Sequence, residues 1–561
     1  MTAPTIDGIQ VVVEELRRGT AGGGGLETYL TGPAGLSVDA VEVFGSIDGT
    51  LLVATTLLIL TLLLAIYRSP AIAFVPLFVV ALAYAVAAGL VYLLVSQTGL
   101  DVNGQTTGLL IILMFGAGTD YCLLIVSRYR EELRRRSDKH EAMAQALRHT
   151  SPAILSSGGT VVAAMLVLLV AGFASTRASG PVPALGVAVT MIAGLTLLPA
   201  LLTIAGRRAF WPAVPREGSE SGGRRGIWRR VGDAVARRPL STAAATTAAL
   251  GLAATGLLVD LPGLSLSAGI RSETESVQGA EVLAEALPPG ELAPPQVLVE
   301  TGPANVDDAA RAVAEALEAE EAVASVQPTE RSEDGRIARL EAVLAADPYS
   351  DEAIEAVGGP TAEEADTRET TSRDVAIVVP LVLLVIFLIL VALLRALVAP
   401  LYLIGTVILS FAATMGIAFA AFRWVFDSPG TDPSLVLFVF VFVSALGIDY
   451  NIFLMARIRE EAGRTDARTG VLLGLERTGG VITSAGLILA GTFLALLLLP
   501  LEQLFQLGFA VALGLLIDAF VVRTLLVPSA ALLLGPRSWL PGGLPVRSAP
   551  SPPRGSGGSA A

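Results

Sequence analysis

GAGTDYCLLIVSRYREE, Gly116 to Glu132, and ALGIDYNIFLMARIREE, Ala445 to Glu461, are two versions of one segment. In each, a glycine and one further residue precede Asp-Tyr, an arginine follows the aspartate by eight positions, and the segment closes on Arg-x-Arg-Glu-Glu. Asp120 and Asp449 thus lie inside apolar runs of membrane-spanning length. At a rise of 1.5 Å per residue, Asp120 is roughly 12 Å from the charge at Arg128. An ionisable group at such depth is costly, and in a multi-helix membrane protein it marks an ion or proton pathway. The alternative, an acid tolerated at a helix end, fits this depth less well.

Working outward, 53% hydrophobic and 16% charged residues over 561 positions are too apolar for a soluble protein of this length. The chain reads as an integral membrane protein. The single cysteine, Cys122, excludes an intrachain disulfide and a cysteine-based metal site, and reads as a small packing residue. Runs of the about 17 to 25 residues that a helix needs to span a bilayer occur at Leu51 to Tyr67, Ala71 to Val95, Leu109 to Val126, Pro152 to Phe173, Val182 to Ile204 and Leu240 to Val259. Five more follow at Val375 to Leu394, Ala399 to Phe422, Leu435 to Ala456, Val481 to Leu499 and Phe505 to Leu534, eleven in all.

Charge is distributed by segment. Between Asp260 and Asp374 stand 26 acidic residues against seven arginines, so one acidic hydrophilic domain interrupts a mildly basic membrane body. Arg128 to Thr150 holds seven Arg/Lys, Arg207 to Arg238 nine arginines and Arg457 to Arg477 five, which predicts cytoplasmic loops there. The acidic domain and residues 1 to 50 then face the other side, and an odd number of spans puts the termini on opposite sides. The stretch Arg128 to His149 reads as an interfacial amphipathic helix with Tyr129, Leu133, Met143 and Leu147 toward the membrane. No nucleic-acid role is expected of it, and His140 and His149 have no second ligand cluster for a metal.

The acidic domain reads as α+β. Gln296 to Glu300, Ala322 to Val326 and Ile337 to Leu344 alternate as strands, while Val306 to Ala322 and Glu352 to Val357 are helical. The expected organisation is an extracytoplasmic remnant over 1–50, membrane helices of a first half over 51–206 and a cytoplasmic linker over 207–239. A membrane helix over 240–259 opens the second half, followed by the outer domain over 260–374 and helices over 375–535. A Pro/Gly/Ser-rich tail over 536–561 is expected to be cytoplasmic and disordered.

The repeat extends well beyond its two aspartates. Gly32-Pro33 matches Gly359-Pro360 and Arg68 matches Arg395 at an offset of 327, Asp120 matches Asp449 at 329, and Thr150, Ile154, Ser156 and Gly158 match Thr478, Ile482, Ser484 and Gly486 at 328. An offset this steady means two halves with the same in/out sense. The span at Leu240, shifted back by that offset, would fall about 90 residues before Met1. The expectation is therefore a first half without its opening helix and most of its outer domain, which residues 1–50 would continue.

Adjacent residues on a helix point about 100° apart, so each Asp and its own Tyr neighbour do not meet. Packing of the two helices predicts instead a crossed pairing, Asp120 with Tyr450 and Asp449 with Tyr121, each hydroxyl able to donate to a carboxylate. Gly116, Gly118 and Gly447 are of the small type that lets helices approach. Thr119, Ser156, Ser157, Thr483 and Ser484 are candidates to line a path, although Ser and Thr in membrane helices more often bond their own backbone. Phe453, one turn after Asp449, is a candidate gate or a packing residue. Asp518 stands where the first half has Thr190; with Arg523 it reads as a structural pair, Arg523 snorkelling to the cytoplasm. A Walker A loop needs Gly-Lys-Ser/Thr, and the sole lysine, Lys139, sits in Ser-Asp-Lys-His-Glu. No hydrolase constellation appears, so an ion gradient or a partner must supply the energy.

The segments GTDYCLLIVSRYREE, LTLLPALL (Leu195 to Leu202), GPTAEEADTR (Gly359 to Arg368), GIDYNIFLMARIREE and DAFVVRTLLVP (Asp518 to Pro528) together resemble the MmpL-type (mycobacterial membrane protein large) branch of the RND (resistance, nodulation, division) transporter superfamily. The resemblance implies a polytopic α-helical membrane protein with a parallel pseudo-repeat, eleven spans here against twelve in the family, and α+β porter domains on the outer side. It implies no enzyme and no cofactor but protons as the coupling ion, relayed by Asp120, Tyr121, Asp449 and Tyr450. It further implies export of lipids or hydrophobic small molecules across the plasma membrane, in contact with membrane lipids. A homo-oligomer, or a second chain supplying the helix and porter domain that the offset asks for, would be the protein partner. The competing expectation, of a different class, is a non-transporting accessory or scaffold subunit, such as a protein-translocation partner or a truncated paralogue, in which both aspartates would tolerate substitution.

Overall fold

The computed structural model describes residues 6–20, 27–100, 102–212, 214–215, 225–264, 268–271, 274–286, 294–301, 305–332, 334–345 and 360–543. Among them, ten helices are long and apolar enough to cross a membrane, and Leu51–Tyr67 forms a further, shorter apolar stretch at the end of a 36-residue helix. Each of the eleven apolar runs lies on one of these helices, three of them overrunning its end by one to three residues. The first half comprises α1 (Ile6–Thr20), α2 (Gly32–Tyr67), α3 (Pro70–Thr98), α4 (Gly104–Arg135), α5 (Lys139–Val167), the short α6 (Ala174–Ala178) and α7 (Pro181–Ala205). After α8 (Arg225–Arg237) come α9 (Pro239–Ala254), α10 (Glu275–Ala286), α11 (Val306–Glu318), α12 (Pro360–Leu394), α13 (Val398–Trp424), α14 (Leu435–Ala462), α15 (Ala467–Leu494), α16 (Glu502–Ile517) and α17 (Val527–Leu534).

The repeat is visible in backbone detail. Arg68 (φ 54°) ends α2 in the left-handed region, and Arg395 (φ 47°) does the same after α12. Gly206 (φ 58°) ends α7 and Gly535 (φ 52°) ends α17, each entering one turn of 3₁₀-helix. These glycines adopt a conformation that a Cβ disfavours. The C-terminal ends of α5 and α15 likewise tighten to 3₁₀ at Leu168–Val170 and Ala495–Leu498.

Burial assigns the helices their places. The apolar windows of α4 and α14 are 94% buried, against 22% for α3 and 11% for α9. A helix that is hydrophobic on every side belongs at the centre of a bundle, so the two aspartate helices form the axis. The halves interlock around it: α4 packs on α15, α14 on α5, α2 on α15 and α12 on α5. Close approach needs small residues. A methyl at Gly116 would lie 2.6 Å from Leu489 Cδ1, and one at Gly118 would lie 2.9 Å from Val80 Cγ2. At the C-terminal end of α5, the Asp374 carboxylate accepts from the Gly172 and Phe173 amides at 2.7 and 3.1 Å, tying the loop after α5 to α12.

The hydrophilic domain forms as α+β. β1 (Gln296–Glu300), β2 (Val323–Arg331) and β3 (Ile337–Leu344) make an antiparallel sheet in the order β1-β3-β2, with α11 packed on it through Val306, Ala310, Ala338 and Leu340. The helix expected at Glu352 to Val357 and most of the tail lie outside the described residues. The N-terminal segment is fastened to α10. Asp39 takes the Ser276 amide at 3.1 Å and the Ser276 hydroxyl, and pairs with Arg17, while Leu30 N donates to Glu275 Oε1 at 3.0 Å. Burial opposes ionisation of Asp39, but Arg17 and Ser276 outweigh it and hold the carboxyl below the ordinary aspartate range.

One expectation is corrected. The stretch Arg128 to His149 is not a separate interfacial helix, because α4 runs unbroken to Arg135 and α5 starts at Lys139 with Asp138 capping the His140 amide at 2.7 Å. Tyr129, Leu133 and Met143 are accordingly buried in protein, Tyr129 against Phe210, and Leu147 packs against the same core. The basic periodicity belongs to the ends of two spanning helices that continue beyond the apolar zone.

Candidate proton site at the axis

Asp120 on α4 and Asp449 on α14 face a common cavity of about 10 Å³, lined also by Tyr121, Tyr450, Ser157, Phe453, Leu124 and Leu489. That is the space of about one water molecule. Both aspartates are 6% exposed. The Tyr450 hydroxyl donates to Asp120 Oδ2, a hydrogen bond across the two halves. The crossed pairing is thus made on one side only: no hydrogen bond joins Tyr121 to Asp449 among the described residues, and Tyr121 Oη, Asp120 Oδ1 and Asp449 Oδ1 are buried without a partner. Tyr121 lies over α5, its hydroxyl 3.3 Å from where a methyl on Gly158 would sit.

The asymmetry has a source in the chain. Thr196-Leu197-Leu198 matches Thr524-Leu525-Leu526 at an offset of 328, yet Pro199 matches Pro528 at 329, so Val527 is an extra residue. One residue inserted into a helix without breaking it produces a π turn, a feature frequent at functional sites. Asp518 to Leu526 is π-helical, whereas α7 is α-helical through the corresponding stretch. Residues five apart would point about 140° away from each other on an α-helix; in the π turn they stack. Arg523 accordingly pairs with Asp518, both 2% exposed, donates to Gly447 O at 2.6 Å and lies over the Tyr450 ring at 4.3 Å.

This corrects the expectation that Arg523 snorkels to the cytoplasm: its guanidinium is held in the core by a carboxylate, a carbonyl and an aromatic face. The first half offers Thr190 and Leu195 instead, and among the described residues no cation lies over the Tyr121 ring.

Of the remaining candidates, Ser157 and Phe453 reach the cavity. Thr119, Ser156, Thr483 and Ser484 bond carbonyls of their own helices at 2.7 to 2.9 Å and do not reach it. The structure adds Asn451, fully buried beside Tyr450 with both side-chain polar atoms unpartnered. An amide in the middle of an apolar helix, at the repeat position of Cys122, was the available signal. The described residues contain no group of three or more His, Cys, Asp or Glu able to hold a metal.

Residues 2–242 and 270–552 match the model of the MMPL family. The chain is 44% identical over 545 residues to the putative membrane protein ActII-3 of Streptomyces coelicolor, covering 94% of this chain and 76% of that one. It is 36% identical to the apo-petrobactin exporter of Bacillus anthracis, covering 93% and 75%. The structure resembles SecDF, a translocon-associated membrane protein from Thermus thermophilus, with a TM-score of 0.58 and 18% identity, over 90% of this chain but 63% of the SecDF chain, a likeness of fold alone. The chain is a multi-pass membrane protein of transporter type and belongs to the MMPL family.

Proposed function

We propose that this protein exports a lipid or another hydrophobic small molecule across the plasma membrane, driven by protons that load and leave the Asp120/Asp449 site. The observation that carries the reading is the hydrogen bond from Tyr450 on one half to Asp120 on the other, at the buried axis where the halves meet. Gain or loss of a proton there changes the attraction between the two halves, which is what coupling by relative movement requires. A proton crossing 100 mV releases about 2.3 kcal/mol. Asp120, Asp449, Tyr450 and Tyr121 hold the proton; Ser157 extends the polar path; Arg523, anchored by Asp518, sets the Tyr450 ring. Support for a small-molecule substrate comes from the family and from the Bacillus relative named for apo-petrobactin export. The basic loops face the cytoplasm in this reading, and the sheet domain lies outside.

The test uses inverted membrane vesicles with a pH-sensitive dye and a fluorescent lipid or hydrophobic cargo. Asp449→Asn removes uncoupler-sensitive export and cargo-linked proton flux while the protein remains in the membrane. Unchanged export would overturn the reading, and a requirement for a co-purifying protein with both aspartates dispensable would establish an accessory role instead.

A further inference from the structure

At the basic end of α7, two adjoining open grooves of about 660 and 550 Å³ share Lys139 and Ile204 as lining residues. Their polar wall is Ser137, Lys139, His140, Arg207 and Arg208; their apolar wall runs up α7 through Pro199, Ala200, Thr203 and Ile204, the last 77% exposed. Among the described residues, no carboxylate lines either groove. Asp138, next to Lys139 in the chain, is turned to the amide of His140. Among the described residues, Lys139 Nζ bonds the Ile204 carbonyl alone, at 3.4 Å, and Arg207 spends its donors on the carbonyls of Pro215 and Arg136, at 2.9 and 2.6 Å. Among the described residues, neither of these nor Arg208 meets a carboxylate.

The second half shows what a filled groove looks like. There α8 covers the corresponding place: Arg468, the mate of His140, donates to Ala236 O at 2.8 Å, and a methyl on Gly479 would lie 2.6 Å from the Trp228 ring. The mates of Lys139, His140, Arg207 and Arg208 are Ala467, Arg468, Pro536 and Arg537, so the open groove carries three Lys/Arg cations against two in the filled one. That surplus disfavours another arginine-rich helix like α8 and favours an anion. Trp211, 66% exposed just beyond Arg208, is the residue type found at headgroup depth. A basic recess at the membrane surface that continues into an apolar trough matches a molecule with an anionic head and acyl tails.

We infer that this groove is a binding site for an anionic phospholipid, its phosphodiester held by Lys139 and Arg208 and its acyl chains laid along Pro199 to Ile204. Lys139 is the only lysine of the chain, so amine acylation reads the site directly. The full-length protein is placed in phosphatidylcholine nanodiscs with and without phosphatidylglycerol, and acylation of Lys139 is measured against the α-amino group. Phosphatidylglycerol is expected to protect Lys139 about tenfold. In native mass spectrometry, Lys139→Gln with Arg208→Gln, which disturbs no buried bond, should weaken phosphatidylglycerol retention about thirtyfold, taking each cation at the usual membrane-surface strength. Arg229→Gln with Arg230→Gln on α8, an equal change in charge, should leave retention as it was. Equal protection in both lipids, undiminished retention by the Lys139/Arg208 variant, protection by millimolar inorganic phosphate without lipid, or cross-linking of Lys139 to a polypeptide would each overturn the assignment.

Discussion

Asp518 and Arg523 offer a measurement of what the π turn contributes. Both side chains are 2% exposed, and Arg523 also holds Gly447 O at 2.6 Å and the Tyr450 ring at 4.3 Å. Asp518→Leu leaves a guanidinium buried without its counter-charge, a defect that costs about 3 to 5 kcal/mol. Replacing both partners by apolar groups, Asp518→Leu with Arg523→Met, removes the uncompensated charge, and such replacements are near neutral to stability. The single variant should therefore be less stable than the double, with a coupling energy of about 2 to 4 kcal/mol. At about 2.1 cal/mol/K of unfolding entropy per residue, a 561-residue chain melting as one unit shifts by roughly 1 °C per kcal/mol. Melting in detergent should then fall by about 3 to 4 °C for Asp518→Leu and recover most of that loss in the double variant. Transport should not recover with it, since Tyr450 has lost the cation beneath its ring. Additive melting shifts, or full export by the stable double variant, would refute the argument.

Tyr450→Phe deletes the hydroxyl that Asp120 receives; a hydrogen bond to a charged group is worth about 1.5 to 3 kcal/mol, so proton-coupled export in vesicles should fall by roughly tenfold or more with membrane abundance unchanged. Gly416 on α13 lies against the backbone of α9, a methyl there standing 3.0 Å from Ala254 Cα, whereas its repeat mate Gly89 on α3 has nothing within 4 Å; Gly416→Val should cost about 1 to 3 kcal/mol by overpacking and Gly89→Val should be silent in the same melting assay. Asp39 has a folded pKa below its unfolded value of about 3.9, so its contribution is present in full above that value and lost as pH falls through the depressed folded one. The melting difference between wild type and Asp39→Asn should close on acidification from neutrality, and a difference constant with pH would contradict the assignment.

The legible parts of this molecule were those written as period, charge and repetition. Apolar run length located the spans, and alternation located β1 and β3, because each depends on local pattern alone. The meeting of α4 and α14 at one site followed from matched acids inside two apolar runs. What escaped was set by geometry between helices. Arg523 looked like a snorkelling residue because α-helical spacing sends it away from Asp518, and the extra Val527 that brings them together shows only when the offset is followed past Pro528. Tyr129 and Met143 looked membrane-facing because charge surrounds them in sequence, yet the faces that carry them are turned into the protein, and exposed residues such as Arg135 and Glu141 occupy the other faces of the same helices. Asn451 was overlooked beside the acid and tyrosine before it.

The tight turns at Arg68 and Arg395 also constrain topology. Two residues separate α2 from α3 and three separate α12 from α13. Fully extended, such connections reach about 7 and 10 Å, against about 30 Å of hydrocarbon. A connection this short cannot cross back through the hydrocarbon, so the second helix of each pair starts at the membrane face where the first one ends, and the two run in opposite senses. The sense of one member in the membrane therefore dictates that of the other, and only a much longer linker at Arg68 or Arg395 would free them from each other.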